Sequence, residues 1–430
     1  MVFRRISFFV FFFIFVVSKH AVLMADTIKV MHYNLLYYTT SVPSGCQVSA
    51  QYLDEKDLYL RKIIQYEKPD VFTVNEIGSQ SVYVDRILNQ VLNSNGGDYY
   101  RSCPLTNFSG GTIANMLYYD SRKLVYHSHF YISTSVRDIN GYKMYYKTPQ
   151  LSQGDTIFTT FIVAHLKAGY YDSDKQLRLT QVQALMNKLE QISLVDNFVF
   201  SGDFNLYSSS EPAYQHLINY SNTLFRLYDP INKPGEWNNN SQFAPYHTQS
   251  THTYSSNGCY ASGGMDDRFD FILVSPYVYY GSKKVKSINE SYRAVGQDGQ
   301  RFNGTIISPT NSVVPDSIAQ ALYQVSDHLP VVLKLDVNAT INSIEEFPAL
   351  NCWIMNPIED RIIMEIGPEQ AEEAELQIWG IDGKLLSSKR ISLEAGSNRI
   401  KFPFEYSSGF YLVRIKTQKG QYVTKKMIKK

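Results

Sequence analysis

Hydrophobic residues between positions 26 and 337 follow two spacings, one typical of strands and one typical of helices. Short apolar runs rich in β-branched and aromatic residues predict strands at 28–33, 71–74, 113–119, 124–131, 143–146, 156–164, 198–201, 269–274 and 331–335. Apolar residues three and four positions apart predict helices at 53–64, 80–93 and 182–189. Neighbouring strands are arranged as hairpins and not as regular strand–helix–strand repeats, which favours two packed sheets with outer helices. The pattern therefore predicts an α/β domain over residues 26–337.

A polar stretch rich in Asn, Ser and Gly interrupts this domain at residues 229–265. A segment of this length without periodicity predicts a long surface loop, and such loops commonly shape a substrate groove. The next polar stretch, 338–349, is predicted to be a linker. Short alternating strands with turn residues between them then predict a small β-sandwich over residues 350–430.

The C-terminal segment also carries an ordered set of motifs. Asn356-Pro357 is followed by the stretches 376–383 and 408–415, and the chain ends in lysine pairs at 425–426 and 429–430. This order resembles the C-terminal sorting domain of the type IX secretion system. The resemblance implies recognition by the type IX machinery, export across both membranes of a Gram-negative cell and, in many cases, removal of the domain. The alternative is an ordinary carbohydrate- or protein-binding β-sandwich.

The N-terminus has the order of a secretory signal peptide. Arg4 and Arg5 precede an apolar run at 8–17 and a polar break at 18–20. The apolar run is about half the length needed to span a bilayer. We expect cleavage after Ala25, with an uncleaved anchor as the alternative. Together the two ends predict a protein that is secreted or held on the outer cell surface.

Composition and charge exclude some classes of protein. The 430 residues are 44% hydrophobic and 19% charged, which excludes a disordered or collagen-like chain. The formal net charge is +1, but residues 26–345 hold 25 basic and 29 acidic residues, a net charge of −4. This domain therefore has no overall positive field for binding duplex nucleic acid. If the substrate is a polyanion, a bound divalent cation is a natural source of positive charge.

Four cysteines remain in the exported chain. Export permits disulfides, and four cysteines allow three fully paired connectivities. A Cys46–Cys103 bridge is one expectation, and free or partly paired thiols are the alternative. Their sparse, irregular spacing does not favour a zinc site.

Polar residues able to bind metal or phosphate recur at the ends of the predicted strands. Each one alone could be a turn residue, a cap or a hydrogen-bonded core residue. Occurring together at strand ends in one domain, they indicate an enzyme site. These residues are Asn34, Glu76, His165, Asp203, Asn205, Asp270, Asp327 and His328.

The ordered set resembles the endonuclease/exonuclease/phosphatase superfamily, which includes deoxyribonuclease-like nucleases, abasic-site nucleases, sphingomyelinases and inositol-polyphosphate phosphatases. The resemblance implies a four-layer αββα sandwich and hydrolysis of phosphoesters with Mg²⁺ or Mn²⁺, with Ca²⁺ as a further candidate. The matching stretches are Asn34, Pro69-Asp70, Asn75-Glu76, His165-Leu-Lys167, Gly202-Asp-Phe-Asn205, Arg268-Phe-Asp270 and Ser326-Asp-His328.

The resemblance also implies roles for individual residues. Glu76, Asn34 and Asp327 would form the metal shell. Asp203 would activate or orient the attacking water, and Asn205 would donate to the phosphate or the water. His165 and His328 would stabilise charge on the phosphate oxygens, with Asp270 holding the His328 ring in its imidazolium form. A two-metal mechanism with neutral His328 is the competing interpretation.

Two departures from the family pattern are visible. Asn75 stands where Gln is common, and we expect little effect. His165 stands where abasic-site nucleases carry Tyr, which favours other branches of the family. The acidic pair Asp266-Asp267 directly precedes Arg268, and we expect it to form a loop salt bridge with that arginine. The alternative is that the pair tunes the metal or the water.

The predicted function is a secreted metal-dependent phosphodiester hydrolase, with an endonuclease acting on DNA or RNA as the leading expectation and no stable protein partner. The first alternative is a sphingomyelinase or another phospholipid or phosphomonoester phosphatase. That alternative requires exposed aromatics on a membrane-facing hairpin, for which residues 142–146 are a candidate, although they fit a strand more simply. A non-enzymatic surface protein is the remaining alternative.

Overall fold

The computed structural model describes residues 26–148, 151, 156–337, 351–368, 371–396, 398–418 and 422–430. The predicted signal peptide and the predicted linker lie outside these residues. Among the residues described, no helix combines the length and the apolar character needed to cross a bilayer.

Two β-sheets form the centre of the larger domain. The first has six strands in the order β10-β11-β1-β2-β4-β3. Its strands, numbered in chain order, are β1 (Asp26–Tyr38), β2 (Val71–Gly78), β3 (Tyr100–Ser102), β4 (Ile113–Asp120), β10 (Val285–Ala294) and β11 (Val331–Val337). The first and last strands of the domain are antiparallel neighbours, with Asp26 in register with Val337. Strand β1 runs parallel to β2 on its other side.

The second sheet has five strands in the order β5-β6-β7-β8-β9. These strands are β5 (Leu124–Ile132), β6 (Ile139–Tyr146), β7 (Phe158–His165), β8 (Phe198–Asp203) and β9 (Asp270–Val274). Only the β7–β8 pair is parallel. Side chains alternate along β8: Phe198 and Phe200 pack on the helical side, whereas Val199 packs between the two sheets.

Helices cover the outer face of each sheet. The helices are α1 (Tyr52–Glu67), α2 (Ser81–Arg86), α3 (Asp172–Gln191), α4 (Pro212–Ile218), α5 (Pro276–Tyr280) and α6 (Asp316–Val325). Helix α2 continues as a π-helix at Ile87–Leu92, and a 3₁₀-helix forms at Ser241–Tyr246. Helices α1 and α6 pack on the six-stranded sheet, and α3 and α4 pack on the five-stranded sheet. The predicted αββα sandwich is therefore confirmed.

The C-terminal segment folds into two antiparallel sheets. One has the order β12-β13-β16 and the other β15-β14-β17-β18. The strands are β12 (Asn351–Ile354), β13 (Arg361–Gly367), β14 (Glu372–Gly380), β15 (Leu385–Leu393), β16 (Asn398–Pro403), β17 (Gly409–Thr417) and β18 (Tyr422–Lys429). Ile362, Leu376 and Val413, one from each of three strands, share a single buried core. This confirms the predicted small β-sandwich.

The polar stretch 229–265 is a loop, but much of it is not at the surface. Trp237, His247, Thr248 and Thr251 are almost fully buried. Hydrogen bonds satisfy most of their polar atoms: Trp237 Nε1 donates to the Lys233 carbonyl, and His247 Nε2 lies 2.8 Å from the Trp237 carbonyl oxygen. The expectation of a surface loop is therefore wrong for its central part, because a polar segment can be buried when it supplies its own partners.

Cys46 forms a disulfide with Cys259, so the expected Cys46–Cys103 bridge is wrong. Cys103 is a free thiol buried in the main core, and Cys352 is also free. The bridge joins two loops that are also linked by a backbone hydrogen bond from Gln47 to the Asn257 carbonyl, 2.7 Å long. Spacing along the chain does not show this pairing, because 213 residues separate the two cysteines.

Reduction of this disulfide should lower the melting temperature. Bridges that close long loops stabilise a protein by roughly 2–4 kcal/mol, mainly by restricting the unfolded chain. The test compares Tm with and without dithiothreitol for the wild type and a Cys46→Ser/Cys259→Ser variant. The variant should melt at the temperature of the reduced wild type and be insensitive to dithiothreitol. An unchanged Tm after complete reduction, verified by thiol titration, would contradict the expectation.

Candidate active site

The candidate site lies at one end of the sandwich, where β1, β2, β7 and β8 approach their C-terminal ends and β9 begins. In the first sheet, Asn34 is in register with Asn75. In the second sheet, His165 is in register with Asp203, and Asp203 with Asp270. Side chains in register on neighbouring strands point to the same face. The two packed sheets therefore bring these residues into one cleft.

The backbone of Glu76 is left-handed, with φ of 59°. The preceding Asn75 faces the second sheet, so regular alternation would turn Glu76 the other way. The pairing of β2 with β4 shifts register between Val74 and Ile77, and this bulge turns the Glu76 carboxylate toward the cleft. The backbone N–H of Tyr37 donates to Glu76 Oε2 at 3.0 Å.

Glu76, His165 and Asp203 form a group able to hold a metal ion, with one candidate ligand atom from each lying within 4.8 Å of the others. His165 Nε2 is 3.5 Å from Asp203 Oδ2, and His165 Nδ1 is 3.9 Å from Glu76 Oε1. The Asn34 amide bridges the two carboxylates, donating to Glu76 Oε1 at 3.1 Å and to Asp203 Oδ2 at 2.9 Å.

The donor set fits a hard divalent cation. Carboxylate oxygens are the ligands that Mg²⁺ and Mn²⁺ prefer. His165 Nδ1 is buried without a hydrogen-bond partner, as expected for an atom reserved for a ligand. Burial lowers the pKa of His165 well below its ordinary value, and the charge of Arg137 lowers it further. His165 is therefore a neutral imidazole.

Asp327, predicted as a metal ligand, lies beside this group and not within it. Its Oδ2 accepts from the backbone N–H of Ala261 at 2.8 Å. Its Oδ1 is buried without a partner and lies 4.0 Å from His328 Nε2. Burial raises the pKa of Asp327. One oxygen thus remains open toward the cleft.

Asp270 and His328 form a buried ion pair, with His328 Nδ1 2.7 Å from Asp270 Oδ2. The other ring nitrogen points into the cleft, 3.7 Å from Asp203 Oδ2. Burial alone would lower the pKa of His328, but the charges of Asp270 and Asp203 outweigh burial and raise this pKa well above its ordinary value. The two carboxylates thus favour the imidazolium form of His328.

Asp203 is the member of the metal-binding group that also faces the His328–Asp270 pair. Its Oδ1 accepts from the Asn205 amide at 2.8 Å and from the Asn205 backbone N–H at 3.1 Å. Asn205 has a left-handed backbone with φ of 51°, which allows both bonds to reach one oxygen. Burial raises the pKa of Asp203 to about 7, with the charge of His328 opposing that shift.

Two residues of the site carried no signal recognised in the sequence. The Gln249 amide nitrogen lies 2.7 Å from His328 Nε2, and an imidazolium would need this amide turned so that its oxygen accepts from Nε2. Gln249 belongs to the polar loop, which has no periodicity. Arg137 precedes β6, and its Nη1 donates to the backbone carbonyls of His165 and Leu166 at 3.4 and 3.3 Å. In the described part of the chain, no carboxylate pairs with this guanidinium.

Asn75 and Arg268 support the site from behind. Asn75 Oδ1 accepts from the Asp203 N–H at 2.9 Å, and its amide donates to Asn115 Oδ1 at 2.8 Å, so Asn75 joins the two sheets. Arg268 is buried and forms two hydrogen bonds with Asp229, at 2.8 and 2.9 Å. The expected salt bridge from Arg268 to Asp266-Asp267 is therefore wrong, because the guanidinium turns inward to the loop.

Residues 31–328 match the model of the Endonuclease/Exonuclease/phosphatase family, and the chain belongs to this family. Residues 356–430 match the Secretion system C-terminal sorting domain, which confirms the sorting domain predicted for this segment. The comparison with curated proteins found no match.

Several solved structures are similar to the larger domain. A protein of the endonuclease/exonuclease/phosphatase family from Bacteroides vulgatus is 17% identical, with a TM-score of 0.45, 73% of this chain and 99% of that chain covered. The human Nocturnin catalytic domain with bound sulfate is 17% identical, with a TM-score of 0.44 and coverage of 73% and 97%. D. rerio TDP2 complexed with single-strand DNA product is 12% identical, with a TM-score of 0.44 and coverage of 73% and 100%. The family assignment rests on the family model.

Proposed function

We propose that this chain is a secreted, divalent-metal-dependent phosphodiester hydrolase that cuts nucleic acid, DNA or RNA, as an endonuclease. One observation carries the proposal. Asp203 belongs to a group that could hold a metal and also faces His328, whose ring is paired with the buried carboxylate of Asp270. A phosphodiester in this cleft would have positive charge on both sides of its phosphorus and a carboxylate at hand for the attacking water.

In this proposal Glu76, Asn34 and Asp327 would hold Mg²⁺ or Mn²⁺, with Asp203 and His165 adjoining. The cation would neutralise charge on the phosphate and stabilise the leaving oxygen. For Asn34 this requires the amide to turn, because its oxygen accepts from the Leu36 N–H at 2.9 Å while its NH₂ group faces the carboxylates. Turning the amide would break the bond from the Leu36 N–H, a loss that coordination of the cation would have to offset.

Asp203 would remove a proton from the attacking water. At the same time the water oxygen would bond to phosphorus, and the bond from phosphorus to the leaving oxygen would break. A pKa raised by burial to about 7 makes this carboxylate an effective base near neutral pH. The Asn205 amide fixes one carboxylate oxygen, so the other faces the cleft. His328 would donate from Nε2 to a non-bridging oxygen, and this bond strengthens as charge accumulates on the phosphate.

Arg137 supports the choice of a phosphodiester in an otherwise acidic domain. Residues 26–345 carry a net charge of −4, so positive charge must be local to the cleft. The half-buried Arg137 guanidinium sits on the backbone of His165 and uses one of its two Nη atoms there. Its remaining donors are available to a phosphate oxygen.

Residues 142–146 do not form the membrane-facing hairpin that the lipid alternative requires. Residues 142–146 lie in β6, which pairs with β5 on one side and β7 on the other. Tyr142 is completely buried. This stretch is therefore a central strand and not a membrane-facing hairpin.

The purified protein should hydrolyse bis-p-nitrophenyl phosphate, lose this activity in EDTA, and recover it with Mg²⁺ or Mn²⁺. The same preparation is then assayed on plasmid DNA, RNA, sphingomyelin and inositol phosphates. Cleavage of DNA or RNA at internal positions is the expected result. Preferential hydrolysis of sphingomyelin would favour the lipid alternative, and no hydrolysis of any substrate would overturn the assignment.

The sorting domain supports a secreted or outer-surface location and contact with the secretion machinery. We further propose that residues 1–25 are a cleaved signal peptide, that 26–337 form the catalytic domain, and that 338–349 link it to the sorting domain at 350–430. N-terminal sequencing and intact mass of protein recovered from the culture medium test these bounds. A mature N-terminus upstream of residue 20 would contradict them.

A further inference from the structure

Two aromatic pairs, one stacked and one tilted, lie exposed on the protein surface. Phe108 is 61% exposed and stacks on Tyr131, which is 41% exposed, with ring centroids 4.0 Å apart and planes 16° from parallel. Tyr170 and Tyr171 are each 62% exposed, with centroids 4.3 Å apart. We call these four side chains the aromatic rim. Large rings are normally buried, so exposed pairs of them mark a binding surface.

Strand register places Tyr131 on the cleft side of its sheet. Tyr131 pairs with Asn140, and Asn140 pairs with Val163. Residues in register point to the same face, and Val163 shares its face with His165, two residues further along β7. Tyr131 therefore points to the face that carries His165, and its row is about 7 Å before the row of His165.

Hydrogen bonds tie the loop of Phe108 to the floor of the site. The Asp138 carboxylate accepts from the backbone N–H groups of Phe108 and, at 2.9 Å, of Ser109. The Asp138 carbonyl accepts from the Asn115 amide at 2.7 Å. Asn115 in turn binds Asn75, which binds Asp203. The position of Phe108 is thus fixed relative to Asp203.

The second pair lies in the loop that follows β7, the strand that ends at His165. Tyr170 follows His165 by five residues, and the intervening loop is held by Arg178, which donates to the carbonyls of Lys167 and Gly169 at 2.8 and 2.7 Å. Arg178 is completely buried. Arg137 bonds to the start of this loop through the Leu166 carbonyl. The next residue, Asp138, holds the loop of Phe108, so residues 137 and 138 contact the loops of both pairs.

We propose that the aromatic rim binds the unpaired bases of single-stranded nucleic acid on either side of the scissile phosphate. This inference rests on the proposed function and names its substrate class. In a duplex the faces of the bases are covered by their neighbours, so an exposed ring can stack only on an unpaired base. Arg137 contacts the phosphate between stacked bases. An acidic domain gains little from long-range attraction to a duplex, whereas stacking does not require a basic surface.

The test measures kcat and KM on three substrates: a 12-nucleotide single strand, the duplex of the same sequence, and bis-p-nitrophenyl phosphate, which has no bases. The wild type should prefer the single strand. Phe108→Ala and Tyr170→Ala/Tyr171→Ala should each raise KM for the single strand by about 5- to 20-fold, in line with the loss of one stacked base. Activity on bis-p-nitrophenyl phosphate should stay within twofold of the wild type.

Matched variants separate stacking from general loss of structure. Tyr66→Ala removes a 42% exposed tyrosine from helix α1 and should leave all three activities unchanged. Phe108→Tyr and Tyr170→Phe/Tyr171→Phe retain the rings and should restore the single-strand KM. Equal KM values for wild type and Ala variants on the single strand, with normal hydrolysis of bis-p-nitrophenyl phosphate, would overturn the inference. Duplex cleaved as readily as single strand would also overturn it.

Binding in EDTA distinguishes failure of this inference from failure of the proposed function. Fluorescence anisotropy with the labelled 12-nucleotide strand reports the aromatic rim even if the protein hydrolyses nothing. Tighter binding of the single strand than of the duplex, weakened by Phe108→Ala, would support the rim. Binding of sphingomyelin vesicles in place of the oligonucleotide, lost in the same variants, would assign the rim to lipid and overturn the inference.

Discussion

Glu76→Gln should lower kcat on bis-p-nitrophenyl phosphate by about 10³-fold, the scale of losing a principal charge-stabilising contact. The carboxylate accepts from Asn34 and from the Tyr37 N–H. An amide keeps the shape but places an NH₂ group against one of these donors and removes the charge that would bind a cation. The variant should also lose the rise in Tm that Mg²⁺ or Mn²⁺ gives the wild type.

The fold should survive this substitution. Without a metal, Glu76 adds to a cluster of carboxylates that includes Asp203, so removal of its charge relieves repulsion. Tm in EDTA should therefore equal or exceed that of the wild type. Glu290→Gln, an exposed glutamate on β10, is the matched control and should change neither measurement. A Glu76→Gln variant that keeps both activity and the metal-dependent rise in Tm would refute the site.

Asp270→Asn should shift the alkaline limit of activity to lower pH. The charge of Asp270 helps to raise the pKa of His328, so its removal lowers that pKa and the imidazolium is lost at a lower pH. We expect kcat to fall about 10²-fold at pH 8, and by much less near pH 6. A pH–rate profile from 5 to 10 measures the shift.

This experiment also separates two mechanisms. If neutral His328 acts beside two metals, Asp270→Asn will have the same alkaline limit of activity as the wild type. Only the maximum rate in its pH–rate profile will fall. The Gln249 amide nitrogen, which faces His328 Nε2 in the structure, would then donate to this atom, whereas an imidazolium needs the amide turned so that its oxygen accepts. Asp266→Asn, a neighbouring half-buried acid, is the control and should have the wild-type profile.

Local pattern was enough to predict most of the central strands and the polar residues that end them. Strands such as β8 are buried on both faces, so their sequences are continuous apolar runs with a sharp polar end. By contrast β10 was not predicted, because it is an edge strand with several exposed positions and reads as polar. Helix α6 was also missed, although Ile318, Leu322 and Val325 have helical spacing.

The geometry of the site depends on contacts between distant residues, which local pattern does not encode. Regular alternation would turn Glu76 away from Asn34, and only the bulge in β2 brings them together. Gln249 reaches His328 through a loop without periodicity. Cys46 forms a disulfide with Cys259 because the fold brings their two loops together. In each case the sequence shows which residue is present but does not show which distant residue it contacts.

The register of β1 against β11 determines where the catalytic domain is attached to the rest of the chain. Asp26 and Val337 are neighbours, whereas Asn34 lies eight residues further along β1 and His328 lies just before β11 begins. The chain therefore enters the domain at Asp26 and leaves it at Val337 side by side, at the end away from the cleft. Attachment of the domain through its C-terminal end at Val337 would therefore anchor it at the end away from the cleft.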